Sequence, residues 1–190
     1  MKFKQLLIAL LASGVTATAF AAVDTYTIDP GHTYPSFEAD HMGLSVLRGK
    51  YTKTSGSVTL DRAAKSGTLD IKIDADSLDF GNDKLNKHAK GPDMFDVPKF
   101  PDITYKSKSI TFKGDVPVSV EGELTLHGVT RPVTLSINKF KCIDHPMLKK
   151  EVCGADASAT FNRADFGISY GMPRFAMDVK LAIEVEAVKN

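Results

Sequence analysis

From Phe175 to Ala187 every second residue is apolar: Phe175, Met177, Val179, Leu181, Ile183, Val185 and Ala187. Positions between them carry Asp178, Lys180, Glu184 and Glu186. A two-residue period places the two sets on opposite faces of a strand. One face therefore meets apolar groups and the other meets water along the whole run. A strand this long suits a curved sheet better than a small flat one.

The same period recurs along the chain. Tyr26 and Ile28 alternate with Thr25 and Thr27, and Phe37 and Ala39 with Glu38 and Asp40. Val58 and Leu60 follow Gly56. Leu69, Ile71 and Ile73 alternate with Asp70, Lys72 and Asp74, and Ile103 and Tyr105 follow Pro101. Ile110 and Phe112 precede a turn at Gly114-Asp115, and Val116, Val118 and Val120 come after it. Phe166, Ile168 and Tyr170 form a further candidate strand. Leu124 and Leu126, then Val133, Leu135 and Ile137, predict a hairpin whose link of four residues contains Gly128, with Pro132 at the start of the second strand. Helix signals are sparse. Only residues 82–90, polar and with Leu85 and Ala89 four apart, predict a short helix. The following run to Pro101 holds three prolines, which prevent regular structure, yet its Met94, Phe95 and Phe100 are too apolar for a free loop. Such a loop must cover something, and the end of a barrel is a natural place. About eight or nine amphipathic strands predict a closed barrel or a sandwich, which periodicity alone does not separate.

The N-terminus carries Lys2 and Lys4, an apolar run from Leu6 to about Val15, and Ala19-Phe20-Ala21. This is the pattern of a cleaved export signal over residues 1–21, leaving residues 22–190 as one domain. Two of the 24 basic residues fall in that leader, leaving 22 against 23 acidic ones. The balance gives no electrostatic footprint for nucleic acid. No later apolar run is long enough for a membrane-spanning helix. Export makes a Cys142–Cys153 disulfide the expectation, since their spacing fits neither C-x-x-C nor zinc-ligand patterns.

The residues offer little catalytic chemistry. No G-x-S-x-G elbow, H-E-x-x-H pair or glycine-rich phosphate loop is present. No catalytic residue or metal ligand is assigned. The alternative that the sequence leaves open is a metal-dependent enzyme built on His32, His41 and His127. The apolar face is more informative: in an eight-stranded barrel its side chains either fill the interior or line a ligand cavity.

Several segments, in order, resemble the YceI-like family of polyisoprenoid-binding proteins. Tyr26-Thr27-Ile28-Asp29 is followed by His32 and by Phe37-Glu38-Ala39-Asp40-His41-Met42-Gly43. Gly49-Lys50-Tyr51 and Gly56-Ser57-Val58-Thr59-Leu60-Asp61 come next, then His88, Asp93-Met94-Phe95-Asp96 and Phe100-Pro101-Asp102-Ile103-Thr104-Tyr105. The stretch from Gly122 to Leu135 is similar to the family's G-x-L-T-L-x-G-V-T-x-P-V-x-L signature, and Asn162-Arg163-Ala164-Asp165-Phe166-Gly167 resembles its N-R-x-D-F-G segment. The resemblance implies an all-β fold, an extended antiparallel lipocalin-like barrel with an elongated apolar cavity. It implies a bound isoprenoid lipid, either a polyprenyl chain or a prenyl quinone such as ubiquinone, with no catalytic cofactor. It further implies a periplasmic location, and a homodimer as in some members. The inner parity then nominates Phe37, Ala39, Tyr51, Val58, Ile71, Ile73, Tyr105, Leu124 and Leu126 as lipid-binding residues. Phe166, Ile168, Met177, Val179, Leu181 and Ile183 complete that set. Enclosing such a tail is favourable by roughly 0.8 kcal/mol per CH₂.

Overall fold

The computed structural model describes residues 23–190; the expected export signal at 1–21 lies outside the described residues. The chain forms β1 (Asp24–Ile28), β2 (Tyr34–His41), β3 (Ser45–Tyr51), β4 (Thr54–Asp61), β5 (Ser66–Asp74) and the short β6 (Leu78–Asp79). A helix, α1 (Asp83–Ala89), follows. Then come the long strands β7 (Asp102–Lys113), β8 (Val116–Leu126), β9 (Val129–Asp144), β10 (Glu151–Asn162) and β11 (Asp178–Lys189).

These segments make a closed barrel of eight antiparallel strands, because three of the eight are interrupted. β11 pairs with β1 through Ala187, Val188 and Lys189, and with β2 from Glu184 back to Lys180. β1 and β2 are thus two halves of one strand. β4 pairs with β1 and β3 with β2, so β3 and β4 are likewise two halves. β5 and β6 repeat the arrangement against β4 and β3. Single strands β7 to β10 complete the meander back to β11. Closure removes the open edges that a sheet of this size would otherwise expose.

Two buried hydroxyls make the interruptions tolerable. Between β1 and β2 the chain leaves β11, and the Glu186 N–H is left without a strand partner, while its carbonyl accepts from the Asp29 N–H at 2.9 Å. Thr33 Oγ1 donates to the Glu186 carbonyl at 3.2 Å and accepts from its N–H at 3.1 Å. Between β3 and β4, Ser77 Oγ accepts from the N–H groups of Thr52 at 3.2 Å and Lys53 at 3.1 Å. Both side chains are buried, and buried backbone groups need such partners.

β6 ends the β2–β3–β6 flap and does not pair with β7. The segment from Gly81 to Pro101 occupies this gap. Asn82 caps α1 by accepting from the Leu85 N–H at 3.1 Å. Asn86 accepts from Phe80 N–H at 2.8 Å and donates to Asp79 at 3.0 Å, tying the helix to β6. The proline-rich loop folds back on the helix through Phe95 N–H to Ala89 O and Val97 N–H to Lys90 O, and the Pro101 carbonyl accepts from Ala75 N–H.

Three local expectations are corrected. The hairpin link is two residues, His127 and Gly128, both with positive φ (52° and 73°), the turn whose twist matches paired strands. Pro132 therefore lies inside β9, where β8 is its partner and β10 joins only from Ser136 onward. Phe166, Ile168 and Tyr170 do not form a strand: Arg163–Phe166 is a 3-10 turn and an irregular loop follows. β11 consequently begins at Asp178, and Phe175 and Met177 belong to that loop.

The outer face meets water. Cross-strand pairs Lys106–Asp70, Lys72–Asp102 and Lys108–Glu123 lie on it at 3.4, 2.8 and 2.7 Å. A barrel wall carrying such pairs is not facing hydrocarbon. Among the described residues no helix is long and apolar enough to cross a membrane. The Cys142–Cys153 disulfide is formed between directly opposed residues of β9 and β10.

Candidate functional site

The inward side chains do not fill the barrel. An upper cavity of about 350 Å³ lies within it, under α1 and the loops at that end. Alternation along the strands supplies its walls: Phe37 and Ala39 from β2, Tyr51 from β3, Ile73 from β5, Leu124 and Leu126 from β8, Val179 and Leu181 from β11. Ile168 contributes from the loop after the 3-10 turn. Leu85 of α1, Met94, Phe95, Tyr170 and Phe175 enclose the end. A lower cavity of about 170 Å³ is lined by Val58, Ile71, Tyr105 and Ile183 among others. The two share Pro35, Ile73 and Leu124 in their walls, so they follow one another along the barrel.

Aromatic rings shape the upper chamber. Phe37 packs edge-on against Phe80 at 5.5 Å and tilted against Tyr51 at 5.8 Å, and Tyr51 meets Phe95 edge-on at 6.4 Å. Gly49 permits this, since a β-carbon there would come within 2.7 Å of the Phe37 ring. In the lower chamber the Tyr105 ring lies over Gly122, where a β-carbon would stand 2.5 Å from the phenol oxygen. That hydroxyl is within hydrogen-bonding distance of two backbone carbonyls, Val120 at 3.1 Å and Val133 at 3.0 Å. Burial, aided by the charge of Glu121, pushes its pKa up to about 12. Burial also raises that of Tyr51. Both phenols are therefore neutral, and the walls beside them carry no charge.

Among the described residues that border the two cavities, the ionisable groups other than the two phenols and Tyr26 stand at the upper end: Asp40, His41, His88 and Arg163, with Tyr170 beside them. Arg163 is 7% exposed. Its guanidinium donates to the carbonyls of Ala176, Ile168 and Tyr170, each at 2.9 Å. It thus holds the 168–176 loop in place over the cavity, and burial lowers its pKa from the ordinary arginine value.

The far end is closed by a polar plug. Tyr26, fully buried, donates to Glu151 at 2.5 Å. Arg62 Nη2 reaches Glu151 at 3.0 Å and the Tyr26 oxygen at 3.1 Å, and also contacts the Cys142 sulfur at 3.2 Å. Burial works to raise the Glu151 pKa. The bonds from Tyr26 and Arg62, with the charges of Arg62 and Lys189, outweigh it and hold the carboxyl below its ordinary value.

Thirteen of the fifteen residues nominated from sequence border one cavity or the other. Phe166 and Met177 do not. Phe166 is buried in the 3-10 turn, edge-on to Phe161 at 5.1 Å and behind the wall. Met177 lies outside the strand, so the parity argument does not reach it, and its side chain is 43% exposed. The nominations omitted Phe80, Leu85, Arg163, Tyr170 and Phe175, which come from the helix and loops, although Tyr170 and Phe175 stand in the alternating runs. For Arg163 the N-R-x-D-F-G segment was the available signal.

The three histidines of the alternative metal reading are not brought together. His32 is on the outside, 2.8 Å from Asp29. His41 borders the upper cavity, its ring 4.9 Å from that of Phe175. His127 sits in the β8–β9 turn against Phe100, with Nδ1 3.1 Å from the Phe166 carbonyl. Among the described residues, the groups of three ligand-type side chains close enough to share an ion are Asp29–His32–Glu186 and Cys142–Glu151–Cys153. The sulfurs of the second are already bonded to each other.

Comparison with known proteins agrees with this architecture. The sequence model described as YceI-like domain matches residues 26–187. Protein YceI of Salmonella arizonae is 32% identical over 190 residues, covering 98% of both chains. Among solved structures, BcnA of Burkholderia cenocepacia superposes with a TM-score of 0.69 at 22% identity, over 84% of this chain and 98% of its own. The YceI protein of Campylobacter jejuni gives a TM-score of 0.68 at 25% identity, over 80% and 90%. A polyisoprenoid-binding domain from Saccharophagus degradans shares the fold at a TM-score of 0.64 and 15% identity, over 87% and 98%.

Proposed function

The chain belongs to the YceI-like family, and on that premise we propose that it binds a long isoprenoid lipid in the barrel, as carrier or store. The ligand is a polyprenyl chain or a prenyl quinone such as ubiquinone. The observation that carries this reading is the pair of successive apolar cavities, of about 350 and 170 Å³, in a barrel that side chains leave partly empty. An elongated, uncharged tail matches a passage whose side walls are uncharged between the polar upper end and the Tyr26–Glu151–Arg62 plug. Polar groups at the upper end would meet a headgroup, and the enclosed length would take the tail by hydrophobic transfer. The shared fold of the polyisoprenoid-binding domain from Saccharophagus degradans supports the ligand class.

The working form in this proposal is residues 22–190, exported with loss of residues 1–21 and resident in the periplasm. The leader pattern supports that location.

Native mass spectrometry and organic extraction of the purified protein test the reading. A co-purifying prenyl lipid is expected. Ile71→Trp fills the lower cavity and Val179→Trp the upper one, so each should lower the amount of bound lipid while the barrel still melts cooperatively. Added prenyl quinone should raise the melting temperature of emptied protein, by about 2.7 kcal/mol of stability at a hundredfold excess over Kd. Protein that is empty after gentle purification and unmoved by quinone would sink the proposal.

A further inference from the structure

We propose that the end of the barrel around the β2–β3 hairpin is a docking face for a lipid bilayer, through which the ligand enters and leaves. This rests on the lipid-binding reading above.

Five of the ten exposed large apolar side chains among the described residues gather at this end; Ile143, Met147 and Leu148 lie at the β9–β10 turn, away from the upper cavity, and Val23 and Val116 stand elsewhere. Met42, Leu44 and Val46 are 44%, 78% and 42% exposed at and beside the hairpin tip, and Tyr170 and Met177 are each 43% exposed in the neighbouring loop. The two segments adjoin. The Ala176 N–H reaches the Asp40 carbonyl at 3.4 Å, and the rings of His41 and Phe175 are 4.9 Å apart. Tyr170 stacks on Phe175 and meets His88 of α1 edge-on at 4.8 Å. The tip itself is held in shape. Met42 and Gly43 have positive φ, and the Asp40 carboxylate accepts from the Gly43 N–H at 2.7 Å. Leu44 therefore stands out from the barrel.

The rim is continuous with the upper cavity, whose wall includes Asp40, His41, Leu47, Tyr170 and Phe175. Residues of one hairpin thus face the lipid passage on one side and open water on the other. An isoprenoid lipid resides in a bilayer and crosses water at high cost, so its exit is best placed against the bilayer itself. The opposite end does not suit this. The Tyr26–Glu151–Arg62 plug closes it with a hydrogen-bonded ion pair, which a passing tail would have to break.

Charge around the rim is compatible with a bilayer that contains anionic phospholipid. Lys84 and Lys87 on α1, and Arg174 in the loop, form no ion pair among the described residues. Asp40, Asp83 and Asp178 at the same end carry the opposite charge. Apolar insertion is therefore the main contact, and the two lysines of α1 add to it only where the vesicle surface is anionic.

Flotation of the purified mature protein with vesicles tests the proposal. Vesicles of phosphatidylethanolamine with phosphatidylglycerol are compared with phosphatidylcholine alone. The protein should float with both, and more with the anionic mixture. Leu44→Asp should reduce the bound fraction on the order of tenfold, and Met42→Ser, which adds no charge, should reduce it less. Met147→Asp serves as the control, because Met147 is 82% exposed in the β9–β10 turn, away from the upper cavity. It should bind as the parent does. The variants' thermal melts are measured alongside and should match the parent's, while co-purifying lipid should fall in Leu44→Asp together with its vesicle binding and stay at the parent's level in Met147→Asp. No flotation of the parent protein overturns the docking face, as does a loss in Met147→Asp equal to that in Leu44→Asp. Flotation by a protein that never contains prenyl lipid leaves the face standing and overturns the lipid reading instead.

Discussion

Thr33 and Ser77 are the side chains on which the barrel's interruptions depend. Each supplies a hydroxyl where a strand residue would have supplied backbone groups. Removing such a partner leaves buried groups unsatisfied, at a cost of about 1–3 kcal/mol. Thr33→Val should lower stability by that amount in urea denaturation, and Thr33→Ser should restore most of it. An equal stability for Val and Thr at this position would show that water serves Glu186 equally well. A second residue-scale effect depends on pH. The hydrogen bond from His32 holds the Asp29 carboxyl below its ordinary value, and Asp29 in turn raises the His32 pKa. The lowered carboxyl contributes stability that is lost as pH falls through its folded value. The raised imidazole contributes stability that is lost as pH rises through its folded value. The pair's contribution is thus greatest between the ordinary values of 3.8 and 6.5. His32 is exposed, so solvent keeps the effect small. Its NMR titration should nonetheless move down in Asp29→Asn, and an unmoved midpoint would remove Asp29 as the cause.

At the scale of elements, the disulfide joins β9 to β10 across the loop that ends in the exposed Met147 and Leu148. A bridge closing a loop of this length limits the unfolded chain and is worth about 2–3 kcal/mol in the chain-entropy model. The double variant Cys142→Ser/Cys153→Ser should lose that much in equilibrium unfolding while keeping the barrel's circular dichroism. A loss of fold would mean that the bridge is needed to form the β9–β10 pair. Most of the strands were readable, because alternation records which side of a sheet faces water; β3 and β10, where Gly49, Gly154 and small residues blur the alternation, were not. Asp70, Lys72 and Leu69, Ile71, Ile73 separate by face as their pattern requires. What alternation could not reveal is that β1 and β2 share one place beside β11, since Thr33 replaces strand pairing with a side-chain hydroxyl. Nor could it distinguish Phe166, Ile168 and Tyr170 from a strand. Their spacing alternates, but the carbonyls of Ile168 and Tyr170 are taken by Arg163 rather than by a neighbouring strand. Phe175 and Tyr170 share the alternating spacing but sit in a loop, and spacing alone did not show that this loop closes the cavity.

For the whole molecule, parity identifies the inward side chains but not the space between them. That space depends on strand register and on the three interrupted strands, both set by contacts remote in sequence. Whether Leu124 faces a ring or a void is therefore a property of the closed barrel. At the lower end, closure rests on few residues. β1 meets β11 through three register pairs, Tyr26 with Lys189, Thr27 with Val188 and Ile28 with Ala187. Lys189 adds an ion pair to Asp24 at 2.7 Å, and Asn190 donates its N–H to the Thr25 carbonyl at 2.9 Å. Val188 also pairs with Val152 of β10, so the end of β11 serves both neighbours. Deleting residues 188–190 would remove two of the three pairs, leave Ile28 opposite Ala187 as the last of the seam and expose the edge of β1 before it. With several hydrogen bonds lost at about 1 kcal/mol each, the deletion should lower stability by about 3–5 kcal/mol. Because the lower cavity is lined by Tyr26, Ile28 and Ala187 beside this seam, bound lipid should be released with it. Amide exchange across β1, thermal melting and lipid content after purification measure the three consequences together. Protected β1 amides and an unchanged melt in the truncated chain would place the closure of the barrel elsewhere than at this seam.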